Sequence, residues 1–499
     1  MKGGLPDLPQ PRTTQFQQSV YCNPMLTILG DRSKQTRCDG VARRSFLKAG
    51  TLAGIGSSFS LADLLRAEAT SGVGSSHKAI INIHLDGGPP QMDLIDPKPE
   101  APSDLRSPFA SIPTNLPGVH LTELMPKVAS IADKFVFLRS LVGSAARHDA
   151  FQCQSGFAQR DLQSIGGRPA MGCIVNKLLG KPDDPIPAFV DILQGRGKVR
   201  NSARPGFLGP VNQPFRPDIS KIFHRELESS MKGELKRLGA KGQGAQLGLS
   251  DGMTMGRLED RASLLSNLDT VKRQLDKGSD QIAAMDEFTQ QAMNILTSGR
   301  LAEAMDLEKE DPRVLAKYTP DMRTDSLAQV TSEGPMAARK MLMARRLVEA
   351  GARVVSVSIS DFDTHRNNNS RMEQLGPIVD HALWALVTDL DERGMLDDVT
   401  IVAWGEFGRT PKFNANGGRD HWPKLSMGMM AGGGMNVGQV IGASDRSAAE
   451  ATERPVHFQD VFATLYHNLG IDLTSAQLID PTGRPQYLVG EGEVIRELV

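Results

Sequence analysis

Short apolar runs alternate with longer amphipathic stretches along most of the chain. The short runs are rich in β-branched residues, which is typical of buried strands, and they predict strands at 79–85, 135–138, 354–359, 400–404 and 425–431. The longer stretches repeat apolar residues every three or four positions and predict helices at 124–133, 337–350, 372–390 and 459–469. This alternation predicts an α/β fold, with a mostly parallel sheet sandwiched by helices and right-handed crossovers.

One internal segment, 219–319, interrupts this alternation. It is charged, has almost no strand-like runs, and carries an apolar stripe at helical spacing from Leu258 to Leu275. We interpret it as a helical insertion that either packs on the sheet or serves as a cap or dimerisation element. With this insertion included, residues 70–499 are predicted to form a single domain.

The first 69 residues carry the features of an export leader. Arg43-Arg44-Ser45-Phe46-Leu47-Lys48 matches the twin-arginine pattern, residues 49–65 are mildly apolar, and Ala67-Glu68-Ala69 fits a cleavage site. The apolar stretch is too short and too often interrupted for a stable membrane span. We therefore predict export by the twin-arginine machinery to a periplasmic or other extracytoplasmic location. Met25 is an alternative start of the chain.

Composition narrows the class of function. The 499 residues include 57 Lys and Arg against 58 Asp and Glu, so the net charge of −1 gives no global basic field that would attract nucleic acid. Only Cys153 and Cys173 follow the predicted leader, and their spacing is not that of a cysteine metal site. These two residues can form one disulfide after export or remain as two buried thiols.

Three of the predicted strands end in segments that contain Asp or His. Asp86 follows the first strand, and the strand at 354–359 runs into Asp361-Phe362-Asp363-Thr364-His365. The strand at 400–404 leads into a glycine-rich loop that carries Glu406, Arg409, Asp420 and His421. Ligands bind at the carboxyl edge of parallel sheets, and Asp and His are common ligands of divalent cations. The pattern is expected of a metal-dependent hydrolase with one or two cations.

Two strings in the last loop resemble those of the domain-of-unknown-function 1501 family: Gly405-Glu406-Phe407-Gly408-Arg409-Thr410-Pro411 and Gly418-Arg419-Asp420-His421-Trp422-Pro423. Leu85-Asp86-Gly87-Gly88 and Asp363-Thr364-His365 occur in the matching order, with Phe362 where the family often has Trp. That family is regarded as a relative of the alkaline phosphatase and sulfatase superfamily. The resemblance implies an alkaline phosphatase-like fold and one or two divalent metal ions. The implied ligands are Asp86, Asp363 and His365, with Asp361 as an alternate, then Asp420 and His421, and a late ligand at His457.

The resemblance also implies a Ser, Thr or modified Cys nucleophile near the start of a helix. In this sequence the position of that nucleophile falls near Ala146, which is flanked by Ser144 and His148. The Cys-x-Pro-x-Arg maturation motif of sulfatases is absent around Cys153 and Cys173. Three alternatives stay open. Ser144 or His148 acts in catalysis, a metal-bound hydroxide attacks directly, or the site binds its ligand without turnover.

Some residues in these motifs have a structural interpretation beside the functional one. Glu406 and Arg409 are interpreted first as a buried ion pair that fixes the loop. Alternatively, the Arg409 guanidinium binds two oxygens of a phosphate or sulfate group. His457 also fits a plain entry into a helix. His84 lies on a buried strand, and we assign it to the core.

We expect an exported, metal-dependent hydrolase of phosphate or sulfate esters, with a small-molecule or glycan ester as substrate. His148, Ser144 and Arg409 are the catalytic candidates, and the metal is left open among zinc, magnesium and calcium. The alternative is a non-catalytic, metal-stabilised binding or envelope-assembly protein, because a fold does not imply a function.

Overall fold

The computed structural model describes residues 77–194, 203–223, 299–320 and 333–499, apart from positions 149, 163, 182, 218, 220, 221 and 335. The predicted leader, with its twin-arginine motif and Met25, lies outside the described residues. So does the larger part of the predicted helical insertion, 224–298. Within the described residues, no helix is both long enough and apolar enough to cross a membrane.

The described residues form sixteen strands and nine α-helices. The strands are β1 Ala79–Leu85, β2 Ser111–Pro113, β3 His120–Thr122, β4 Phe135–Val142, β5 Phe189–Ile192, β6 Val354–Ile359, β7 Val399–Trp404, β8 Gly408–Arg409, β9 His421–Trp422, β10 Ser426–Gly432, β11 Gln439–Ile441, β12 Ala443–Ser444, β13 Ala451–Glu453, β14 Val456–His457, β15 Gln477–Ile479 and β16 Pro485–Tyr487. The helices are α1 Gln91–Leu94, α2 Pro126–Ser130, α3 Gln152–Ser155, α4 Met171–Leu179, α5 Arg300–Met305, α6 Pro312–Lys317, α7 Ala337–Ala350, α8 Asn368–Glu392 and α9 Phe458–Asn468.

The central sheet has eight strands in the order β11-β4-β10-β7-β1-β6-β5, with β14 beside β4. Strands β5, β6, β1 and β7 pair in parallel, and β11 and β14 pair in parallel with β4. Strand β10 is antiparallel to both β7 and β4. This sheet confirms the predicted α/β class with a mostly parallel sheet.

Strand β10 is the antiparallel member of this mostly parallel sheet. Residues 405–425, which join β7 to β10, hold only the two-stranded ribbon β8–β9 and no helix. A parallel return needs a crossover that spans the sheet, whereas an antiparallel neighbour can be reached by a loop at the same edge. The long loop therefore stays at the carboxyl end of β7, together with its charged residues.

Two apolar cores cover the two faces of the sheet. On one face Ile81, Ile83 and Leu85 of β1 pack with residues of α2, α7 and α8. On the other face Ile80 of β1 packs with residues of α3, α4 and α9. Cys153 and Cys173 are buried in this second core as free thiols. The sheet is thus sandwiched by helices, as the hydrophobic pattern predicted.

Several predicted elements have different bounds in the structure. The helix predicted at 124–133 is shorter, α2, and is followed by the 3-10 turn Ala132–Lys134. The strand predicted at 135–138 continues to Val142. Helix α8 begins at Asn368, four residues before the predicted apolar stripe, ends at Glu392, two residues before Gly394, and contains Pro377. Helix α7 and the glycine that follows it, Gly351, lie where the pattern placed them.

A buried ionic network attaches the segment that carries α5 and α6 to α7 and α8. The Arg345 guanidinium pairs with Glu310 at 2.6 Å and with Asp389 at 3.0 Å, and its side chain is 1% exposed. Tyr318 donates a hydrogen bond to the same Asp389 carboxylate at 2.9 Å. Arg393 reaches both carboxylates from the outside. The segment is therefore fixed to α7 and α8 by buried charges as well as by apolar side chains such as Leu301 and Leu307, and removing one partner of a buried charge pair costs free energy.

We expect Arg345→Ala to lower the free energy of unfolding by about 3 kcal/mol, because two buried carboxylates lose their central cation while Arg393 still reaches them. Urea unfolding followed by circular dichroism measures the change. The control is Arg313→Ala on the exposed surface of α6, which should alter stability by no more than about 0.5 kcal/mol. Equal effects of the two substitutions would mean that the network adds nothing to stability.

Candidate metal centre

The carboxyl ends of four strands meet at one edge of the sheet. Because β4, β6, β1 and β7 run in the same direction, the segments that follow them lie side by side. Asp86 follows β1, Asp363 follows β6, Glu406 follows β7 and His148 follows β4. The residues come from distant parts of the chain, and the sheet brings them together. Two clusters of possible metal ligands result.

The first cluster, the outer group, consists of His148, Asp363 and His421, all half-buried. One ligand atom from each residue lies within 4.8 Å of the others. The His148 Nε2 atom is 3.1 Å from Asp363 Oδ2, and the His421 Nε2 atom is 3.5 Å from Asp363 Oδ1. Two imidazoles therefore face one carboxylate, an arrangement that suits a divalent cation.

The second cluster, the inner group, consists of His84, Asp86 and Glu406, and all three are buried. The His84 Nε2 atom lies 3.7 Å from Asp86 Oδ1 and 3.6 Å from Glu406 Oε2, beyond hydrogen-bond distance. Neither ring nitrogen of His84 has a hydrogen-bond partner among the described residues. A buried imidazole without hydrogen-bond partners is unfavourable, and a cation held between it and the two carboxylates would engage its ring nitrogen. The residues thus fit a metal ion.

His148 joins the two groups. Its Nδ1 atom lies 3.0 Å from Glu406 Oε1 of the inner group, while its Nε2 atom faces Asp363 of the outer group. Burial disfavours the protonated imidazole, but hydrogen bonds to Asp363 and Glu406 outweigh burial and raise the pKa of His148 to about 9. Burial likewise opposes ionisation of Asp363, yet His148, His421 and Arg409 hold the pKa of this carboxyl far below its usual range.

Arg409 is a buried support of the outer group. Its guanidinium donates to Asp363 Oδ1 at 2.7 Å, to the carbonyl of Gly88 at 3.0 Å, and to the carbonyl of Arg419 at 2.9 Å. It also donates to the carbonyl of Gly87. The expected pair of Glu406 with Arg409 is therefore replaced by two others, Arg409 with Asp363 and Glu406 with His148. Because its donors are used in this way and its side chain is 0% exposed, Arg409 positions Asp363 and is not placed to bind the oxygens of a substrate.

A fully buried ion pair holds the loop that carries His421. The Arg419 guanidinium binds the Asp93 carboxylate through two hydrogen bonds of 2.9 and 3.0 Å, and both side chains are 0% exposed. Asn368 and Ser107 donate to the same carboxylate. Arg419 immediately precedes Asp420 and His421, so this pair fixes the position of the segment that carries His421 relative to α1 and α8.

Two predicted ligands lie at the rim of the outer group. His365 Nε2 lies 3.1 Å from Asp363 Oδ1, and His365 Nδ1 lies 2.8 Å from Asp420 Oδ1. Their side chains are 44% and 54% exposed. A hydrogen bond from His365 lowers the pKa of the Asp420 carboxyl. His365 contacts Asp363 and the ring of His421 directly, whereas Asp420 is joined to the group through His365, and neither residue belongs to the two clusters.

The remaining predicted site residues have other contacts. Ser144 Oγ donates to the backbone carbonyl of Glu406 at 2.7 Å and so ties its loop to the centre. Asp361 has left-handed backbone, with φ of 79°, and its carbonyl accepts from Arg371; it is in neither cluster of the described residues. His457 is exposed at the start of α9, where Asp460 accepts its backbone N–H at 2.8 Å. His457 thus fits the helix-entry interpretation.

His84 and Glu406 are the residues that sequence reasoning placed outside the metal site. The signal for His84 was the period of two along β1, which puts Asn82, His84 and Asp86 on one face while Ile81, Ile83 and Leu85 occupy the other. Polar residues at alternate positions leading up to a candidate ligand indicate that the site continues down the strand. His84 is buried, as assigned, and it also lies among possible ligands.

Comparison with known proteins agrees with the resemblance noted from the motifs. Residues 77–499 match the family described as Protein of unknown function (DUF1501). The chain belongs to this family. No curated protein matches the sequence of this DUF1501 protein.

The DUF1501 protein is also similar, at a low level, to solved hydrolase structures. One is the phosphonate monoester hydrolase of Agrobacterium radiobacter, with 14% identity, a TM-score of 0.31, and coverage of 84% of this chain and 76% of that chain. Another is the sulfatase PsFucS1 from Pseudoalteromonas sp., with 11% identity, a TM-score of 0.32, and coverage of 82% and 70%. At this level of similarity, the reactions of those proteins do not transfer to this chain.

The raised pKa of His148 predicts a pH-dependent stability of the metal-free DUF1501 protein. A histidine whose pKa is about 9 in the folded state and about 6.5 in the unfolded chain stabilises fully below pH 6.5, and this stabilisation is lost as the pH rises through 9. The quantity to compare is the unfolding free energy of the chelated parent minus that of chelated His148→Gln. This difference should be larger at pH 6 than at pH 10 by roughly 3 kcal/mol.

Urea unfolding of the chelated proteins between pH 6 and pH 10 measures this difference. His120→Gln replaces an exposed histidine of β3 and is the control, for which the difference from the parent should not change with pH. If the difference in unfolding free energy between the parent and His148→Gln stayed constant across this pH range, the electrostatic explanation for His148 would be contradicted.

Proposed function

We propose that this protein is a metal-dependent hydrolase of phosphate or sulfate esters. The observation that supports the proposal most directly is the pair of ligand clusters at one sheet edge, joined by the 3.0 Å contact between His148 and Glu406. Paired cations are a recurrent device for displacement at phosphorus, because they stabilise the attacking and leaving oxygens together. The carboxyl edge of the sheet is also where α/β enzymes place their substrates.

Each cluster would hold one divalent cation. His148, Asp363 and His421 are the ligands we propose for the outer cation, and His84, Asp86 and Glu406 for the inner one. Mixed imidazole and carboxylate ligands suit zinc better than magnesium or calcium, which prefer oxygen alone. When bound, such cations polarise the ester oxygens and lower the pKa of a water molecule.

The residues around the clusters hold the ligands in place. Arg409 fixes Asp363, and the Gly87 N–H donates to Glu406 Oε1 at 3.0 Å. A Cβ atom at Gly87 would lie 2.5 Å from the backbone nitrogen of Asp363, and its φ is +113°, so only glycine lets the two loops approach this closely. This support leaves the carboxylates correctly placed before a cation or substrate arrives, which favours catalysis.

Water is the nucleophile in this proposal. Ser144 is the nearest hydroxyl to the expected nucleophile slot, and its Oγ is engaged with the carbonyl of Glu406. The slot itself falls near Ala146, which has no hydroxyl. A site of this kind acts on small-molecule or glycan esters through their phosphate or sulfate group, and the products are an alcohol and the free oxyanion.

A second candidate function is metal-stabilised binding without turnover. Ala146 has left-handed backbone, with φ of 58°, and its carbonyl lies 3.3 Å from His421 Nδ1. An alanine held in such a conformation near the centre favours a site that has lost a side-chain nucleophile. The two functions differ in turnover, whereas both require the cations.

We expect the full chain to bind up to two equivalents of divalent metal and to hydrolyse an aryl phosphate or an aryl sulfate. Asp363→Asn should lose the outer cation, His84→Asn should lose the inner one, and each should lower turnover by more than about 100-fold, since removal of ligand support alone costs 10–100-fold. Elemental analysis and steady-state assays with both esters measure these effects.

The matched control is His120→Gln, because this histidine is exposed on β3 and belongs to neither cluster. It should keep both the metal content and the activity of the parent. Metal binding without turnover of either ester would favour the binding function. A parent that takes up no metal under loading conditions would contradict both.

We further propose that the protein is exported through the twin-arginine route to an extracytoplasmic location. The support is the motif Arg43-Arg44-Ser45-Phe46-Leu47-Lys48 and the apolar stretch after it. Replacing both Arg43 and Arg44 by Lys should leave the uncleaved chain in the cytoplasmic fraction. Fractionation and immunoblotting measure this, with Arg37→Lys as the control, and unchanged export of the double variant would contradict the proposal.

A further inference from the structure

A basic pocket lies among residues that the metal centre does not use. Its volume is about 360 Å³, and its lining includes Gly167, Arg168, Arg204, Gly206, Gln213 and Arg216. We propose that this pocket binds an oxyanion, namely a sulfate or phosphate group. The proposal does not rest on the hydrolase function, because none of these residues belongs to the two ligand clusters.

Two of the three arginines at the pocket make no ion pair within the described parts of the chain. Arg216 pairs with Asp191 at 2.8 Å, whereas no carboxylate of the described residues lies within ion-pair distance of Arg168 or Arg204. Burial lowers the pKa of Arg168, and Asp161 and Asp480 act on it in the opposite direction from beyond contact distance. The guanidinium groups of Arg168 and Arg204 therefore keep charged hydrogen-bond donors for an anion.

The Arg168 guanidinium is held in a fixed orientation. It lies over the ring of Phe157, with 4.6 Å from its central carbon to the ring centroid, and one of its N–H groups donates to the carbonyl of Tyr487 at 3.3 Å. Stacking on an aromatic face leaves the in-plane donors of a guanidinium available. Arg168 therefore presents hydrogen-bond donors that are already oriented, which reduces the entropy lost when a ligand binds.

Backbone contacts fix the two loops that carry Arg168 and Arg204. The Ala170 N–H donates to the Arg204 carbonyl at 2.8 Å, and the Phe207 N–H donates to the Gly167 carbonyl at 3.0 Å. A Cβ atom at Gly206, whose φ is +52°, would meet the Gly167 carbonyl, so glycine is required for this close approach. The distance between the bases of the two arginines is thus set by the fold.

The chemistry of the pocket selects the class of ligand. Guanidinium groups bind sulfate, phosphate and carboxylate oxygens through paired hydrogen bonds, and two or three of them around one pocket favour a tetrahedral oxyanion. The source is either a free inorganic ion or a charged group on a larger molecule such as a sulfated saccharide.

The test measures binding of inorganic sulfate and of a singly sulfated disaccharide by calorimetry. It uses the full chain in the Asp363→Asn background with a chelator present, so that oxyanion binding at the metal centre does not contribute. We expect saturable binding at one site. Combined Arg168→Gln and Arg204→Gln substitutions should weaken it at least tenfold, since each removes charge-assisted hydrogen bonds.

The control is Arg313→Gln, which removes an exposed arginine of α6 and should leave the affinity unchanged. Tighter binding of the disaccharide than of sulfate would identify a group carried on a saccharide, and equal affinities would identify a free ion. Equal affinity in the double variant and the control, with circular dichroism showing both folded, would overturn the proposal. The proposal would also be overturned if neither sulfate nor the disaccharide bound saturably. Because the measurement needs no turnover, its outcome is separate from that of the hydrolase proposal.

Discussion

The carboxylates of Asp86, Asp363 and Glu406 lie together at one edge of the sheet, and like charges at short distance repel each other unless cations are placed among them. The protein supplies part of that compensation itself. Arg409 contacts Asp363, and His148 lies between Asp363 and Glu406. His84 lies between Asp86 and Glu406 but reaches neither by a hydrogen bond. This incomplete compensation is the physical reason for expecting divalent cations at the edge.

The fold holds the residues at this edge of the sheet close together. Parallel strands deliver Asp86, Asp363 and Glu406 to one place, and the antiparallel return of β10 keeps the loop 405–425 beside them instead of leading it away across the sheet. The buried pair of Arg419 with Asp93 then holds the far end of that loop. Removing one partner of such a pair is strongly destabilising, because it leaves a buried charge without compensation. The positions of the ligands thus depend on charges that lie outside the clusters.

Arginines in this protein have opposite roles that their residue type does not reveal. Arg409 and Arg419 are fully buried, and backbone carbonyls and carboxylates use their donors. Arg168 is stacked on an aromatic ring beside an open pocket and donates one hydrogen bond to a carbonyl. The first kind fixes loops, whereas the second kind presents donors to a ligand. The difference arises from burial and from the carbonyl groups within reach.

The sequence by itself determined the class of fold and the location of the candidate site. The runs that became β1, β6 and β7 are apolar and β-branched, and Asp or Glu follows each of them, so the carboxyl edge of a parallel sheet could be identified without coordinates. Helix α7 with Gly351 after it was equally clear, because its periodicity and its terminating glycine are local signals. The family motifs around Arg409 and Asp420 are likewise contiguous in the chain.

Tertiary structure decided which residues share a cluster. Glu406 pairs with His148 rather than with Arg409 because β4 ends next to the loop after β7, a relation between segments far apart in sequence. His84 joins Asp86 because the pleat of β1 places both on one face, and Glu406 joins them from the neighbouring strand. His365 and Asp420 were predicted from the same motifs, yet they lie at the exposed rim. Local patterns report periodicity and chain direction, whereas contacts across the sheet depend on strand order, which no local pattern contains.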